Sequence, residues 1–135
     1  MDTSEIIQLL RDNETFAEAG AATLEAMVAA GSLSHLAEGD CLLTEGKLGE
    51  ALWVLVAGEV SVHVGRDVVN RISKPGEIIG EIGAVSQTPA TATVRCQTAV
   101  EVYRIPQKEL HRAMAGSPQL AAAVLRSMAK YLGRR

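Results

Sequence analysis

Lys74-Pro75-Gly76-Glu77-Ile78-Ile79-Gly80-Glu81-Ile82-Gly83-Ala84, followed after a short gap by Pro89-Ala90-Thr91-Ala92-Thr93-Val94, is the stretch of the 135-residue chain on which the fold turns. Pro75-Gly76 marks a turn, a short apolar run follows, and a glycine-rich connection leads into a second run that alternates apolar with polar. If Gly83 and Ala84 begin a single helical turn, the unpaired amides at its start converge on one point and form a preorganised anion site suited to a phosphate. Glu81, just before those amides, is a poor neighbour for an anion but a good acceptor for sugar hydroxyls. A single ligand carrying both a phosphate and hydroxyls meets the two demands together.

On either side the texture is that of strands and turns. Eight of the twelve glycines fall between Gly39 and Gly83, set among short runs rich in Val, Ile and Leu. CLLTEG (41–46), ALWVLVAGEVSVHVG (51–65), VVNRIS (68–73), EIIGEI (77–82), TATVRC (91–96) and AVEVYRIP (99–106) read as strands. Their rhythm of about 8 to 12 residues predicts a closed β-roll or barrel. From Ser4 to Ala30 the apolar residues return at helical spacing, with a break at Asn13 to Thr15 and Gly31 as the expected C-cap. After Pro106 the period is again helical. Leu110 and Met114 define a short helix, Ser117-Pro118 starts another, and Leu120, Val124, Met128 and Leu132 form its apolar stripe, with Leu125 and Tyr131 beside it. The chain therefore reads as one α+β domain over 1–135, with N-terminal helices (1–31), a β-roll (32–106) and C-terminal helices (107–135).

The quoted stretch resembles the phosphate-binding cassette of the cyclic-nucleotide-binding domain family, to which the catabolite activator protein and protein kinase A regulatory subunits belong. The family pattern runs roughly F-G-E-L-A-L-L, a gap, then P-R-T-A-T-V. The resemblance extends to Gly39-Asp40, Glu45-Gly46, Gly49, Leu52-Trp53-Val54 and Gly58-Glu59-Val60, which fall where the family's roll has its turns and strands. It implies an antiparallel, jelly-roll-like double-stranded β-helix with a C-terminal helical lid. It further implies a non-catalytic regulatory module that binds a cyclic nucleotide such as cyclic AMP or cyclic GMP, and the acidic N-terminus and lack of a long apolar run make a cytoplasmic protein the default expectation. By the same resemblance Gly80 allows close backbone approach and Glu81 binds the ribose 2′-hydroxyl. Ile82, Gly83 and Ala84 supply the phosphate-facing segment, Thr91 adds a hydroxyl, and Arg126, or a neighbour on the final helix between Leu120 and Leu132, is a candidate for base contact. The departure is Ala90, which stands where the family places the arginine that pairs with the cyclic phosphate. Arg95 is no substitute, because strand alternation puts Ala90, Ala92, Val94 and Cys96 on one face and Thr91, Thr93 and Arg95 on the other. The expected binder is therefore weak or atypical. The alternative is a module that keeps the fold, has lost the ligand, and serves as an interaction or dimerisation unit through its C-terminal helix, with an effector still to be identified.

Other chemistries find less support. His35, His63 and His111 lie in three different regions, without the close spacing a metal-dependent β-roll enzyme needs, so neither a metal nor a cofactor is expected. Glu77 and Glu81 could form an acid/base pair, but no nucleophile or histidine accompanies them, and no catalysis is expected. His63 alternates with Val60, Val62 and Val64 and is expected to face solvent, while Trp53, Cys41 and Cys96 are expected in the core. The net charge of −3 hides an asymmetry, with ten acids against two bases in residues 1–50 and no acid after Glu109. The basic residues Arg126, Lys130, Arg134 and Arg135 complement the dipole at a helix end, and nothing reads as a DNA recognition helix. No contact between this chain and nucleic acid is expected. The chain holds no apolar run of transmembrane length, and the acidic N-terminus MDTSEIIQLLRDNE lacks the basic start of a signal peptide, so no membrane contact is expected.

Overall fold

The computed structural model describes residues 2–132, with side chains described through Ala129, so the readings of the Lys130, Tyr131 and Leu132 side chains and of Arg134 and Arg135 lie outside the described residues. Helix α1 (Thr3–Arg11) starts where the Asp2 carboxylate accepts the amide of Glu5, and it buries Ile6 and Leu10 one turn apart. The predicted break at Asn13 is made by its side chain, whose Oδ1 accepts the amides of Thr15 and Phe16 and starts a 3-10 turn, Phe16–Glu18. Helix α2 (Ala21–Ala29) buries Leu24, Met27 and Val28.

Eight strands follow: β1 (Ser32–Leu36), β2 (Cys41–Leu43), β3 (Ala51–Ala57), β4 (Val60–Val64), β5 (Asp67–Ile72), β6 (Ile78–Ile79), β7 (Thr93–Cys96) and β8 (Val100–Pro106). They form two antiparallel sheets, β1-β8-β3-β6 and β2-β7-β4-β5. The roll is thus two facing sheets with open edges rather than the closed barrel that the strand rhythm also allowed. Helix α3 (Glu81–Ser86) interrupts the strands, and α4 (Gln107–Gly116) and α5 (Pro118–Leu132) close the chain. Among the described residues no helix is long and apolar enough to cross a membrane.

Strand β3 explains the layering. Leu52, Val54 and Val56 face a core shared with Leu10, Phe16, Leu24, Leu110, Leu120 and Val124 of the helices, whereas Leu55 faces a second core between the sheets, with Val60, Val62, Val94 and Val102. A strand covered on both faces needs no polar alternation, which is why ALWVLVA reads as one apolar run. Trp53 packs half-buried against the inter-sheet core, as expected.

Four expectations change. EIIGEI is not one strand, because β6 holds only Ile78–Ile79 and the chain is helical from Glu81. Gly31 is not a left-handed cap, since Ala30 ends α2 in a right-handed conformation. The glycine at position 31 is needed for close approach instead, as a Cβ there would run into the Tyr103 ring and lie 2.6 Å from the Arg104 carbonyl oxygen. Cys41 is exposed, not core, because β2 is an edge strand and Cys41 pairs across it with the outward Arg95, while Cys96 is buried. His63 is half-buried rather than open to solvent, as its Nε2 lies 2.7 Å from the buried Ser61 hydroxyl.

Candidate functional site

A cleft of about 770 Å³ opens between the β5–β6 connection, α3, the approach to β7, the end of α1 and the middle of α5. That volume is in the range of small-molecule sites. At its floor the chain turns sharply at Gly80, whose φ of 87° is one that side chains other than glycine rarely adopt. The turn launches α3 two residues earlier than the sequence predicts. The amide of Ala84 already donates to the Gly80 carbonyl at 3.1 Å, so it is not the anion donor it was expected to be. The free amides are those of the first helical positions, Glu81, Ile82 and Gly83, for which no acceptor stands among the described residues. Ala84 is buried in the helical core, and its carbonyl oxygen is held by His111 Nε2 at 2.6 Å.

Glu81 lies half-buried at the start of α3, and the Ser127 hydroxyl of α5 donates to its Oε1 at 2.9 Å. Burial raises the Glu81 carboxyl above its ordinary 4.5, and the nearby Glu77 charge raises it too, against the lowering effect of the Ser127 bond. A carboxyl that holds its proton more tightly in the folded chain weakens folding as pH rises above 4.5, because the unfolded chain releases that proton first. Its contribution is most favourable below that pH and declines until the folded form has ionised as well. Glu81→Gln is therefore expected to gain stability over the wild type progressively from pH 4.5 upward, read as the difference in urea unfolding free energy. A difference that stays flat or shrinks with pH would overturn the assignment.

Ala90 is half-buried on the cleft wall, and its backbone is fixed on both sides: its amide donates to the Lys47 carbonyl at 2.9 Å and its carbonyl accepts the Gly46 amide at 2.9 Å. Thr91 is exposed at the rim. Arg95 is exposed and lies away from the cleft, as alternation requires. Of the predicted site residues, Gly80, Glu81, Ile82, Gly83, Ala84, Ala90 and Thr91 come together here. Arg126 does not: it is exposed on α5 and absent from the cleft lining, whereas its neighbour Ser127, within the Leu120 to Leu132 stretch, does line the cleft. The signal for Ser127 was present in the sequence as a small polar residue three positions after Val124 and next to Met128, on the edge of the buried stripe. Also unforeseen are Asn13, Glu14 and Thr15, which bring the N-terminal segment to the cleft, with Asn13 Nδ2 donating to the Gly76 carbonyl at 3.2 Å.

The lining holds four carboxylates, Asp12, Glu14, Glu77 and Glu81, against Arg71 and Lys74, and the Arg71 guanidinium lies 3.6 Å from Glu59. That balance leaves the α3 amides as the main anion donors. The three histidines are occupied separately, His35 with Glu101, His63 with Ser61 and His111 with Ala84, and the described residues contain no cluster of His, Cys, Asp or Glu that would hold a metal.

A family model described as the cyclic nucleotide-binding domain matches residues 33–117. Among solved structures, the sensor domain of the transcriptional regulator DNR from Pseudomonas aeruginosa aligns over 98% of this chain and 92% of its own, with a TM-score of 0.85 and 20% identity. The N-terminal domain of a transcriptional regulator from Streptomyces coelicolor A3(2) aligns over 93% and 91%, with a TM-score of 0.74 and 30% identity. The regulatory domain of Toxoplasma gondii PKA, crystallised with cAMP, aligns over 93% of this chain and 48% of its own, with a TM-score of 0.77 and 23% identity.

Proposed function

The chain belongs to the cyclic nucleotide-binding domain family, and from that premise we propose that it is a regulatory sensor module whose cleft takes a cyclic nucleotide weakly. The observation that carries this reading is the convergence, in one cleft, of the left-handed Gly80, the free amides of Glu81, Ile82 and Gly83, and the Glu81 carboxylate. The amides meet the cyclic phosphate, Glu81 accepts a ribose hydroxyl, and Thr91 stands at the rim within the same cassette. Two of the similar solved structures are domains of transcriptional regulators, which supports a role in which occupancy of the cleft is passed to an effector. Leu125 on α5, 58% exposed, is an apolar residue open to such an effector or to a second copy of the chain.

Ala90 favours a second reading, in which the fold is kept and the ligand lost, because the phosphate would meet no cation from that position and a net acidic lining. Calorimetric titration separates the two. With cyclic AMP and cyclic GMP the wild type is expected to show weak, saturable heat with at least one nucleotide, and Glu81→Ala to abolish it. Absence of heat from the wild type and from a variant with arginine at position 90 would leave only the ligand-free reading.

A further inference from the structure

Where the two sheets face each other, the cleft is lined by apolar side chains, among them Leu43, Val62, Ile79, Ala92 and Val94. Asn70 and Glu77 interrupt that surface from opposite sides. Asn70 of β5 pairs with Val62 of β4, which belongs to the core between the sheets, so both stand on the inner face. Ile72, two positions on, packs into the same core, as alternation requires. From the other sheet, the Leu55 amide donates to the Glu77 carbonyl at 2.9 Å, which carries the register of β3 with β6 one step past the pairing of Val54 with Ile78. Glu77 thus lies opposite Leu55, another member of the inter-sheet core, and shares its face.

The open atoms of these two side chains are of opposite kind. Asn70 Oδ1 accepts the amide of Arg71 at 2.8 Å, which fixes the orientation of the side-chain amide and leaves Nδ2 a donor with no acceptor among the described residues. Glu77 offers a carboxylate that no side chain among the described residues pairs with, and its charge is felt at Glu81, the group that would hold the sugar. Arg71 stands opposite Ser61, one step out of phase with Asn70, and its guanidinium lies 3.6 Å from Glu59. We propose that Asn70 and Glu77 read the base of the ligand and select guanine over adenine. The inference rests on the functional reading above, which fills the cleft with a cyclic nucleotide. Guanine presents donors at N1 and N2 to the carboxylate and acceptors at O6 and N7 to the amide. Adenine presents the reverse, its N1 an acceptor facing Glu77 and its N6 a donor facing Asn70 Nδ2. The wrong base therefore leaves polar groups on both sides unpaired, a stronger ground for rejection than shape.

The test is calorimetric titration of wild type, Asn70→Leu and Glu77→Gln with cyclic GMP, cyclic AMP and cyclic IMP, which keeps guanine's N1–H, O6 and N7 but lacks its 2-amino group. The wild type is expected to take cyclic GMP roughly ten- to a hundredfold more tightly than cyclic AMP, the worth of a hydrogen bond to a carboxylate, with cyclic IMP between them. Glu77→Gln should weaken cyclic GMP roughly tenfold and tighten cyclic AMP, because the new amide can donate to adenine N1. Asn70→Leu should weaken cyclic GMP and cyclic IMP alike, roughly three- to tenfold, since both carry the acceptors that Nδ2 addresses. Equal affinity of the wild type for cyclic GMP and cyclic AMP, or a loss by the same factor for all three nucleotides in both variants, would overturn the base assignment and leave the functional reading standing. No heat with any nucleotide, from the wild type or from Ala90→Arg, would overturn both.

Discussion

Ala90→Arg is expected to tighten cyclic-nucleotide binding by roughly ten- to a hundredfold. The position is prepared for it. Ala90 faces the cleft that the α3 amides also line, and its backbone is pinned to Gly46 and Lys47, so a longer side chain starts from a fixed point. A charge-assisted hydrogen bond to a phosphate is worth about 1.5 to 3 kcal/mol, and each 1.4 kcal/mol is a factor of ten. The new cation also offsets a lining in which Asp12, Glu14, Glu77 and Glu81 outnumber Arg71 and Lys74. Its pairing with Glu77 or Glu81 in the empty cleft competes with the phosphate and sets the lower end of the range. Arg95→Ala is the control and should leave affinity unchanged, because Arg95 stands on the opposite face of β7. Calorimetry at two salt concentrations checks both points, since the gain should shrink as salt rises. An Ala90→Arg variant no tighter than wild type would mean that the amides and the new cation do not address one phosphate.

What could be read along the chain and what could not divide on the range of the interactions involved. Strands β3, β4 and β8 were legible because each carries its own pattern, and β3 even announces its two-sided burial by losing alternation. Strand β1 was not, for Ser32, Ser34 and His35 leave it few apolar residues, and it exists as a strand because β8 supplies the partner. Within the site, Gly80 and Glu81 were legible from type and spacing, whereas the start of α3 was misplaced by two residues because Gly80 itself, and not a later glycine, makes the turn. Ser127 and Asn13 join the site through contacts 46 and 63 positions away, and no local period reports such a distance. Arg126 drew attention by its charge, yet the helix turns that charge outward and its small neighbour inward.

Phe16→Ala is expected to cost about 3–5 kcal/mol of unfolding free energy, a large share of the roughly 5–15 kcal/mol that holds a domain of this kind together. Phe16 is the chain's only phenylalanine and is completely buried, in the 3-10 turn between α1 and α2. It sits in the core that joins Leu10 of α1 and Leu24 of α2 to Leu120 and Val124 of α5, so truncation leaves a void where three helical segments meet. The turn cannot readily collapse to fill it, because the Asn13 side chain fixes its start and also donates to the Gly76 carbonyl beside it. The same substitution thus loosens the wall that Asn13, Glu14 and Thr15 present to the ligand, which ties the cleft to helices lying outside the matched residues 33–117. Guanidinium unfolding should show a lower midpoint with an unchanged slope, and Leu125→Ala, at an exposed position of α5, should stay within about 0.5 kcal/mol of wild type. A loss below about 1 kcal/mol for Phe16→Ala would mean that the N-terminal segment is not part of the cooperative core, and the cleft would then lack a fixed wall on that side.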